Sequence, residues 1–134
     1  MRSPVIIVHN LAHASAAAGA ATALGRTVRL RSAPGAARYA GAGWFAALIM
    51  LVREEFPSAK LEVSLDCATD AGLALAALRT GIPMVRFTGS ATVKRKIAAI
   101  ARAYGATLEN AAATIDLLDC ADPDAAVRAA LTRR

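Results

Sequence analysis

The stretch Leu65–Gly81, LDCATDAGLALAALRTG, constrains the fold more than any other part of this sequence. An alternating apolar run ends at Leu65 and Asp66, a short polar turn follows, and a run rich in alanine and leucine closes at Gly81. Alternation with period two predicts a strand, the hydroxyl and acid of the turn predict a helix N-cap, and the glycine predicts the helix end. The stretch is therefore a predicted strand–turn–helix unit.

The same unit recurs along the whole chain. Strands are predicted at Val5–Val8, Thr27–Ser32, Lys60–Asp66, Met84–Thr88 and Thr114–Leu118. Helices are predicted at Leu11–Leu24, through the apolar run Tyr39–Val52 to near Phe56, from Thr69 or Asp70 to Gly81, at Ala91–Tyr104, and from Asp122 or Pro123 to Thr132. Residues 108–113 fit a loop, a short helix or a bulged strand.

Regular alternation of strands and helices predicts a parallel sheet with right-handed crossovers. The simplest such fold is a single three-layer α/β domain over residues 1–134, with a mostly parallel five-stranded sheet, helices on both faces and the flavodoxin-like order 2-1-3-4-5. Strands covered on both faces are nearly all apolar, whereas the predicted strands carry polar residues at alternate positions. These residues are Arg29, Arg31, Glu62, Ser64 and Arg86. The preferred interpretation is that they reach solvent from strand ends, and the alternative is an open (βα) half-barrel with one polar sheet face.

Composition limits the classes of partner. Among 134 residues 56% are hydrophobic and 4% aromatic, and the net charge is +6. The basic residues are dispersed apart from Lys94–Lys96, and no aromatic residues interleave with them, so we expect no nucleic acid partner. The longest apolar run falls short of the roughly 20 residues that span a bilayer, so no membrane partner is expected. The apolar run Val5–Val8 is too short for a signal peptide of about 7 to 15 apolar residues, so a cytoplasmic protein with reduced cysteines is expected.

The carboxyl ends of the predicted strands are where a ligand site is expected, because the N-termini of the following helices converge there. The predicted ligand-binding residues at these ends are His9, Asn10, Ser32, Gly35, Asp66, Cys67, Thr88, Gly89 and Ser90. In the order 2-1-3-4-5, strands one and three flank the switch point, so His9 and Asn10 would share a crevice with Asp66 and Cys67. We expect a small anionic ligand there, and we predict no cofactor and no resident metal.

Two motifs at these ends have more than one interpretation. Thr88-Gly89-Ser90 opens a predicted helix and suits either a phosphate or carboxylate cradle or an ordinary hydroxyl cap. Leu65-Asp66-Cys67-Ala68 recurs as Leu118-Asp119-Cys120-Ala121, which is typical of helix caps beside a small buried thiol. The same residues also suit a Cys67 nucleophile with His9 as its base, or a metal site that combines His9 and His13 with Asp66 or Cys67.

Two segments carry a resemblance to known proteins. Ser32–Phe45, SAPGAARYAGAGWF, and Leu65–Gly81 together resemble a group of short uncharacterised α/β proteins of high-GC, alphaproteobacterial bacteria. The resemblance implies relatives and no activity. Five βα units with Asp66 at the end of the third strand and Thr88 at the end of the fourth also resemble a phosphoacceptor receiver domain, but the match fails at the residues that such a domain needs for phosphoryl transfer. His9 and Asn10 stand where a receiver needs acids for magnesium, and Asp119 and Cys120 stand where it needs a lysine.

Three functions are consistent with the sequence. The leading one is a domain that binds a small anionic ligand at the carboxyl edge of the sheet. The first alternative is a non-catalytic interaction module that forms a homodimer through the Ala/Gly-rich run Tyr39–Val52, where small residues permit close helix approach. The second alternative is an enzyme that depends on Cys67 or on a His/Asp metal site.

Overall fold

The computed structural model describes residues 3–133 and contains six strands and six helices in regular succession. The strands are β1 (Val5–Val8), β2 (Thr27–Ser32), β3 (Lys60–Asp66), β4 (Met84–Arg86), β5 (Thr107–Leu108) and β6 (Ile115–Asp116). The helices are α1 (Leu11–Leu24), α2 (Ala36–Tyr39), α3 (Ala42–Glu55), α4 (Ala71–Thr80), α5 (Ala91–Ala103) and α6 (Pro123–Thr132). A single 3-10 turn spans Leu117–Asp119.

The strands form one parallel sheet in the order β5-β4-β3-β2-β1-β6. The predicted α/β class with a parallel sheet is confirmed, and the predicted order 2-1-3-4-5 is wrong. Each strand from β2 to β5 lies beside the strand that precedes it in the chain. A right-handed crossover can add the next strand on either side of the first, and nothing in the sequence selects the side. Consecutive order is typical of the (βα) half-barrel connectivity that the alternative describes.

Several element boundaries differ from the prediction. The strand β5 was not predicted and overlaps at Leu108 the segment that the sequence left open, because two residues are too few to show an alternating pattern. The apolar run from Ala36 divides into α2 and α3 at Gly41, whose φ of 90° lies in the left-handed region and interrupts the helix. The last strand is Ile115–Asp116 rather than Thr114–Leu118, because the chain turns into the 3-10 turn directly after Asp116.

The described chain clusters into two compact units, and the predicted single domain stays a prediction. Unit 1 falls within residues 1–31, 48–62 and 111–134. All four residues of β1 are buried, and α1 packs against α6 through a face of alanines. Gly19 of α1 lies against the ring of Phe56, and a Cβ at Gly19 would stand 3.2 Å from the ring. The small side chains of α1 therefore serve close packing rather than helix flexibility.

Unit 2 comprises residues 32–47 and 63–110. Its core includes Leu65, Val85, Phe87 and Leu78, all of them at most 1% exposed. No helix within residues 3–133 is both long enough and apolar enough to cross a membrane.

The arginine, glutamate and serine residues on β2 and β3 are buried or paired with another polar group. Arg31 and Ser64 lie one and two residues before the ends of their strands, but they are 3% and 0% exposed, so the preferred interpretation, that they reach solvent from strand ends, is wrong for both. Arg31 instead donates to the carbonyl of Ala111, and Arg29 pairs with Glu62 at 3.2 Å. Buried polar groups at alternate strand positions agree with the second interpretation, in which one sheet face carries polar residues.

Candidate functional site

The candidate site lies in unit 2 and is organised by the carboxylate of Asp66. Asp66 is the last residue of β3 and is 6% exposed. Its Oδ1 accepts hydrogen bonds from the backbone N–H groups of Gly35, at 3.1 Å, and Ala68, at 2.9 Å. Its Oδ2 lies 3.6 Å from Nε of Arg86, which is its register partner on β4. One buried charge therefore contacts the segments that follow β2 and β3 and the end of β4.

Ser32 completes the surroundings of Asp66 from the end of β2. Its hydroxyl oxygen accepts a 2.9 Å hydrogen bond from the backbone N–H of Asp66, and its O–H donates to the carbonyl of Ala33. Gly35 has a φ of 69°, a left-handed conformation in which its N–H reaches the carboxylate. The predicted residues Ser32, Gly35 and Asp66 therefore do come together. In this structure Ser32 and Gly35 hydrogen-bond to Asp66.

The segment after β3 is held in an uncommon backbone conformation. Ala68 has a φ of 50° and is the single non-glycine residue with positive φ within residues 3–133. Its carbonyl accepts from the N–H of Thr88 at 2.8 Å, and the N–H of Cys67 donates to the carbonyl of Arg86 at 2.9 Å. A left-handed conformation costs a residue other than glycine about 1 kcal/mol or more. It persists where the surrounding hydrogen bonds enforce it.

Cys67 lies beside Asp66 but lacks the properties of a nucleophile. Its side chain is 1% exposed, and its sulfur lies 3.8 Å from the carbonyl oxygen of Leu65. Burial, followed by the charges of Asp66 and Asp70, raises the pKa of the thiol from 9.0 to about 12. Nucleophilic cysteines need a thiolate near neutral pH, so this environment does not favour catalysis by Cys67.

Thr88, Gly89 and Ser90 follow β4 and lead into α5. The Ser90 hydroxyl accepts from the N–H of Val93 at 3.3 Å, which makes it an ordinary N-cap. A Cβ at Gly89 would stand 2.3 Å from Cζ of Phe87, so a glycine is needed here for packing. Thr88 is exposed. The capping interpretation of this motif is therefore favoured over the cradle.

The crevice expected for His9, Asn10 and Asp66 requires β1 and β3 to be neighbours, and the sheet order places β2 between them. His9 Nε2 lies 2.7 Å from Oδ1 of Asp116, the last residue of β6, and donates to it because a carboxylate only accepts. The side chain of Asn10 caps α1 by accepting from the N–H of His13 at 2.8 Å. The expected grouping depended on the strand order 2-1-3-4-5, which the sheet does not have.

His13 is held beside His9. Its Nδ1 accepts a 3.1 Å hydrogen bond from the backbone N–H of His9, and the two rings meet edge to face. Burial, followed by the charge of His9, lowers the pKa of His13, and Asp116 partly opposes this. Within residues 3–133, no group of three or more His, Cys, Asp or Glu side chains is placed to hold a metal ion.

Sequence reasoning missed four polar residues that the structure places at strand positions. Arg86 is the partner of Asp66, Glu109 follows β5 and is 3% exposed, and Asp116 is the partner of His9. Ser64 has a buried hydroxyl without a hydrogen-bond partner among the described residues. Arg86 and Ser64 were visible as polar residues in alternating strands. Their partners depend on the register between strands, and a single strand sequence does not contain that register.

No family model matches this chain, and no curated protein matches it. Among solved structures, the chain is similar to the crystal structure of a candidate fructose-1,6-biphosphate aldolase from Coccidioides immitis, with a TM-score of 0.63 and 20% sequence identity. The alignment covers 79% of this chain and 44% of that one, so this chain spans less than half the length of its structural neighbour. At this identity the likeness shows the α/β fold alone.

Proposed function

We propose that this chain binds a small ligand with an anionic group at the carboxyl edge of the strands of unit 2. The observation that carries the proposal is the buried Asp66 carboxylate, which accepts two backbone N–H groups from different loops and pairs with Arg86. Burial of a charge costs several kcal/mol unless pairing and hydrogen bonds offset it. The buried charge of Asp66 and the strained backbone of Ala68 both cost free energy. Features of this kind are common at ligand sites.

The bonding of Asp66 changes the expected roles of the site residues. The N–H groups of Gly35 and Ala68 are directed at Asp66, so they do not receive the ligand. The less exposed cationic group at this edge is the guanidinium of Arg86, whose side chain is 26% exposed. Arginine presents a planar fork that suits carboxylate and phosphate groups. We therefore assign the ligand contact to Arg86 and a positioning role to Asp66.

The mixed charges at this edge limit how many anionic groups the ligand can carry. The edge carries Asp66 and Asp70 beside Arg86 and the exposed Arg38, whose closest contact to Asp70 is 3.5 Å. A polyanion would meet both carboxylates at close range, which is unfavourable. A ligand with one carboxylate or one phosphate monoester and a polar body fits this balance best, with the exposed hydroxyl of Thr88 as a further contact.

Thermal unfolding with a panel of carboxylated and phosphorylated metabolites tests the proposal. We expect at least one compound to raise the melting temperature of the wild-type protein. Arg86→Gln should abolish that rise, measured against the melting temperature of the same variant without ligand. Arg79→Gln, which removes an equal charge from an exposed position on α4, should retain it. Failure of the whole panel to shift the wild type would contradict the proposal.

A pair of substitutions at Asp66 separates positioning from folding. Asp66→Asn keeps an oxygen that can accept from Gly35 and Ala68 but loses the charge opposite Arg86. Asp66→Ala loses both. If Asp66 positions Arg86, the asparagine variant should remain folded and bind the active compound more weakly. Unchanged affinity in a folded Asp66→Asn protein would limit Asp66 to a structural role.

Self-association through α3 is a second candidate, favoured by the exposed apolar face of that helix. Trp44, Met50 and Leu51 are 38%, 62% and 50% exposed and recur at helical spacing. Gly43 and Ala47 lie on the same exposed stripe, and a Cβ at Gly43 would meet no heavy atom within 4 Å. Small residues between large apolar ones permit a second helix to approach closely.

Sedimentation of purified protein tests this candidate. We expect a dimer, and we expect Ala47→Glu to yield a monomer because it places a charge in the centre of the stripe. Ala99→Glu adds the same charge at an exposed position of α5 and should leave the dimer intact. A wild-type monomer at high protein concentration would exclude the candidate.

A further inference from the structure

A cleft of about 740 Å³ opens in unit 1 at the amino ends of its strands. Its walls include Val5 at the start of β1, Arg26 just before β2 and Thr114 just before β6. The volume falls within the range of about 300 to 1,000 Å³ that is usual for small-molecule sites. Neither the sequence prediction nor the candidate site in unit 2 involves this cleft.

The charged residues that line the cleft are mostly cationic. The charged lining residues among the described part of the chain are Arg26, Arg29, Arg133 and Glu62, and their formal charges sum to +2. Clefts lined by one sign of charge with low-dielectric walls concentrate ions of the opposite sign. Ala112 and the β1 residue Val5 contribute apolar surface beside the charges.

Two of the arginines are held in place by bonds within unit 1. Arg26 donates through Nη1 to the carbonyl of Leu131, at the end of α6. Arg29 directs both Nε and Nη2 at Oε1 of Glu62, at 3.3 and 3.2 Å. A guanidinium that is already positioned loses less side-chain entropy when a ligand binds. Arg133, by contrast, is exposed at the mouth of the cleft.

We propose that this cleft is a binding site for an oxyanion group, phosphate or carboxylate, of a small molecule. Arg29 and Arg133 are the contacts for the oxyanion, and the apolar wall receives the body of the molecule. Glu62 tunes affinity from inside the site, because its carboxylate already lies on the fork of Arg29 and repels an incoming anion. The site is independent of the one proposed in unit 2, and its residues are different.

The test is an NMR titration of ¹⁵N-labelled full-length protein with two probes, inorganic phosphate and benzoate, each against sodium chloride at equal ionic strength. We expect the amides of Val5 and Thr114 and the Nε–H signals of Arg29 to shift with at least one probe. A response to phosphate alone indicates a phosphorylated ligand, and a response to benzoate alone indicates a carboxylated one. A response to both indicates a general oxyanion site. Shifts that chloride reproduces at equal ionic strength, or no shifts, overturn the proposal.

Charge variants give opposite expected signs, which general destabilisation would not produce. Arg133→Gln, at an exposed position, should weaken binding of the active probe about tenfold, as loss of a charge-assisted hydrogen bond does. Glu62→Gln should tighten it several-fold because the competing charge is removed. Arg128→Gln removes an equal charge from an exposed part of α6 outside the lining and should change nothing. Equal affinity in Glu62→Gln and wild type, or equal weakening by Arg128→Gln and Arg133→Gln, would refute the assignment.

Discussion

Two strands in this protein end in an aspartate whose carboxylate accepts a hydrogen bond from the backbone N–H two residues later. The repeated tetrapeptide LDCA in the sequence pairs Asp66 with a different aspartate. The Oδ1 of Asp66, at the end of β3, accepts from the N–H two residues ahead, and so does the Oδ1 of Asp116 at the end of β6. The tetrapeptide LDCA instead aligns Asp66 with Asp119, which is exposed in the 3-10 turn. The structural counterpart of Asp66 is therefore Asp116. It lies three residues before Asp119, the residue that aligns with Asp66 in the repeated tetrapeptide.

The two copies of LDCA have identical residues but are buried to different extents. Leu65 and Cys67 are 0% and 1% exposed, whereas Leu118 is 65% exposed and Cys120 is half-buried. The first copy ends a strand in the middle of the sheet, and the second follows an edge strand of two residues. Burial at these positions depends on which strands lie alongside, and a tetrapeptide does not encode its neighbours.

The largest expected difference between the copies is in thiol reactivity. The rise of the Cys67 pKa from 9.0 to about 12 lowers its own thiolate fraction at neutral pH about a thousandfold. We expect Cys120 to react with a disulfide reagent long before Cys67 in the native protein. Single Cys67→Ala and Cys120→Ala variants identify which thiol reacts, and the two should react alike in denaturant. Native Cys67 that reacts as fast as Cys120 would restore the nucleophile hypothesis.

The next difference is in stability. Asp66→Ala leaves two N–H groups and the Arg86 charge without their carboxylate, so we expect a loss of about 3 kcal/mol in the free energy of unfolding. Asp116→Ala removes a turn hydrogen bond and the partly buried pair with His9 and should cost about 1 kcal/mol. Asp119→Ala should stay within about 0.5 kcal/mol of wild type. Urea denaturation measures all three, and an Asp119 variant as unstable as the Asp66 variant would favour the sequence alignment of the copies.

The fold was predictable to the extent that it depends on local pattern. Lys60–Asp66 and Leu11–Leu24 were predicted with the bounds that the structure has, because period-two alternation and capping residues act within a few neighbours. Strand order and the partners of Asp66 were not predictable. They depend on crossovers and on register, which place Arg86 beside Asp66 and Asp116 beside His9. Of the predicted site, Ser32, Gly35 and Asp66 came together because each directly follows or ends a neighbouring strand.

A smaller difference is expected in backbone strain. Ala68 has positive φ, so Ala68→Gly should relieve strain and raise the free energy of unfolding by about 0.5 kcal/mol after the added flexibility of the unfolded chain is counted. Ala121, its counterpart in the second copy, does not have positive φ, and Ala121→Gly should bring no gain. Calorimetry of the two variants makes the comparison. A destabilised Ala68→Gly would show that its β-carbon contributes packing that outweighs the strain.

The smallest expected difference is in pH response, because the partners of the two aspartates differ. Asp66 pairs with an arginine, which does not titrate in the range where proteins stay folded, whereas Asp116 pairs with His9 beside His13. The folded state lowers the pKa of His13, because its ring is partly desolvated and because the charge of His9 lies beside it, although Asp116 partly opposes this. The unfolded chain therefore takes up the proton first as pH falls below about 6.5, and stability decreases until the folded pKa is passed.

Replacement of His13 isolates this contribution. His13→Gln cannot titrate, so its stability should vary less than that of wild type from pH 7 to pH 5, with the difference between the two proteins largest at the acid end. Arg86→Gln at the other strand end should lower stability by a similar amount at every pH in this range, because neither arginine nor glutamine changes charge there. Parallel curves for wild type and His13→Gln would mean that folding does not lower the pKa of His13, and the β6 strand end would then be no more sensitive to pH than the β3 strand end.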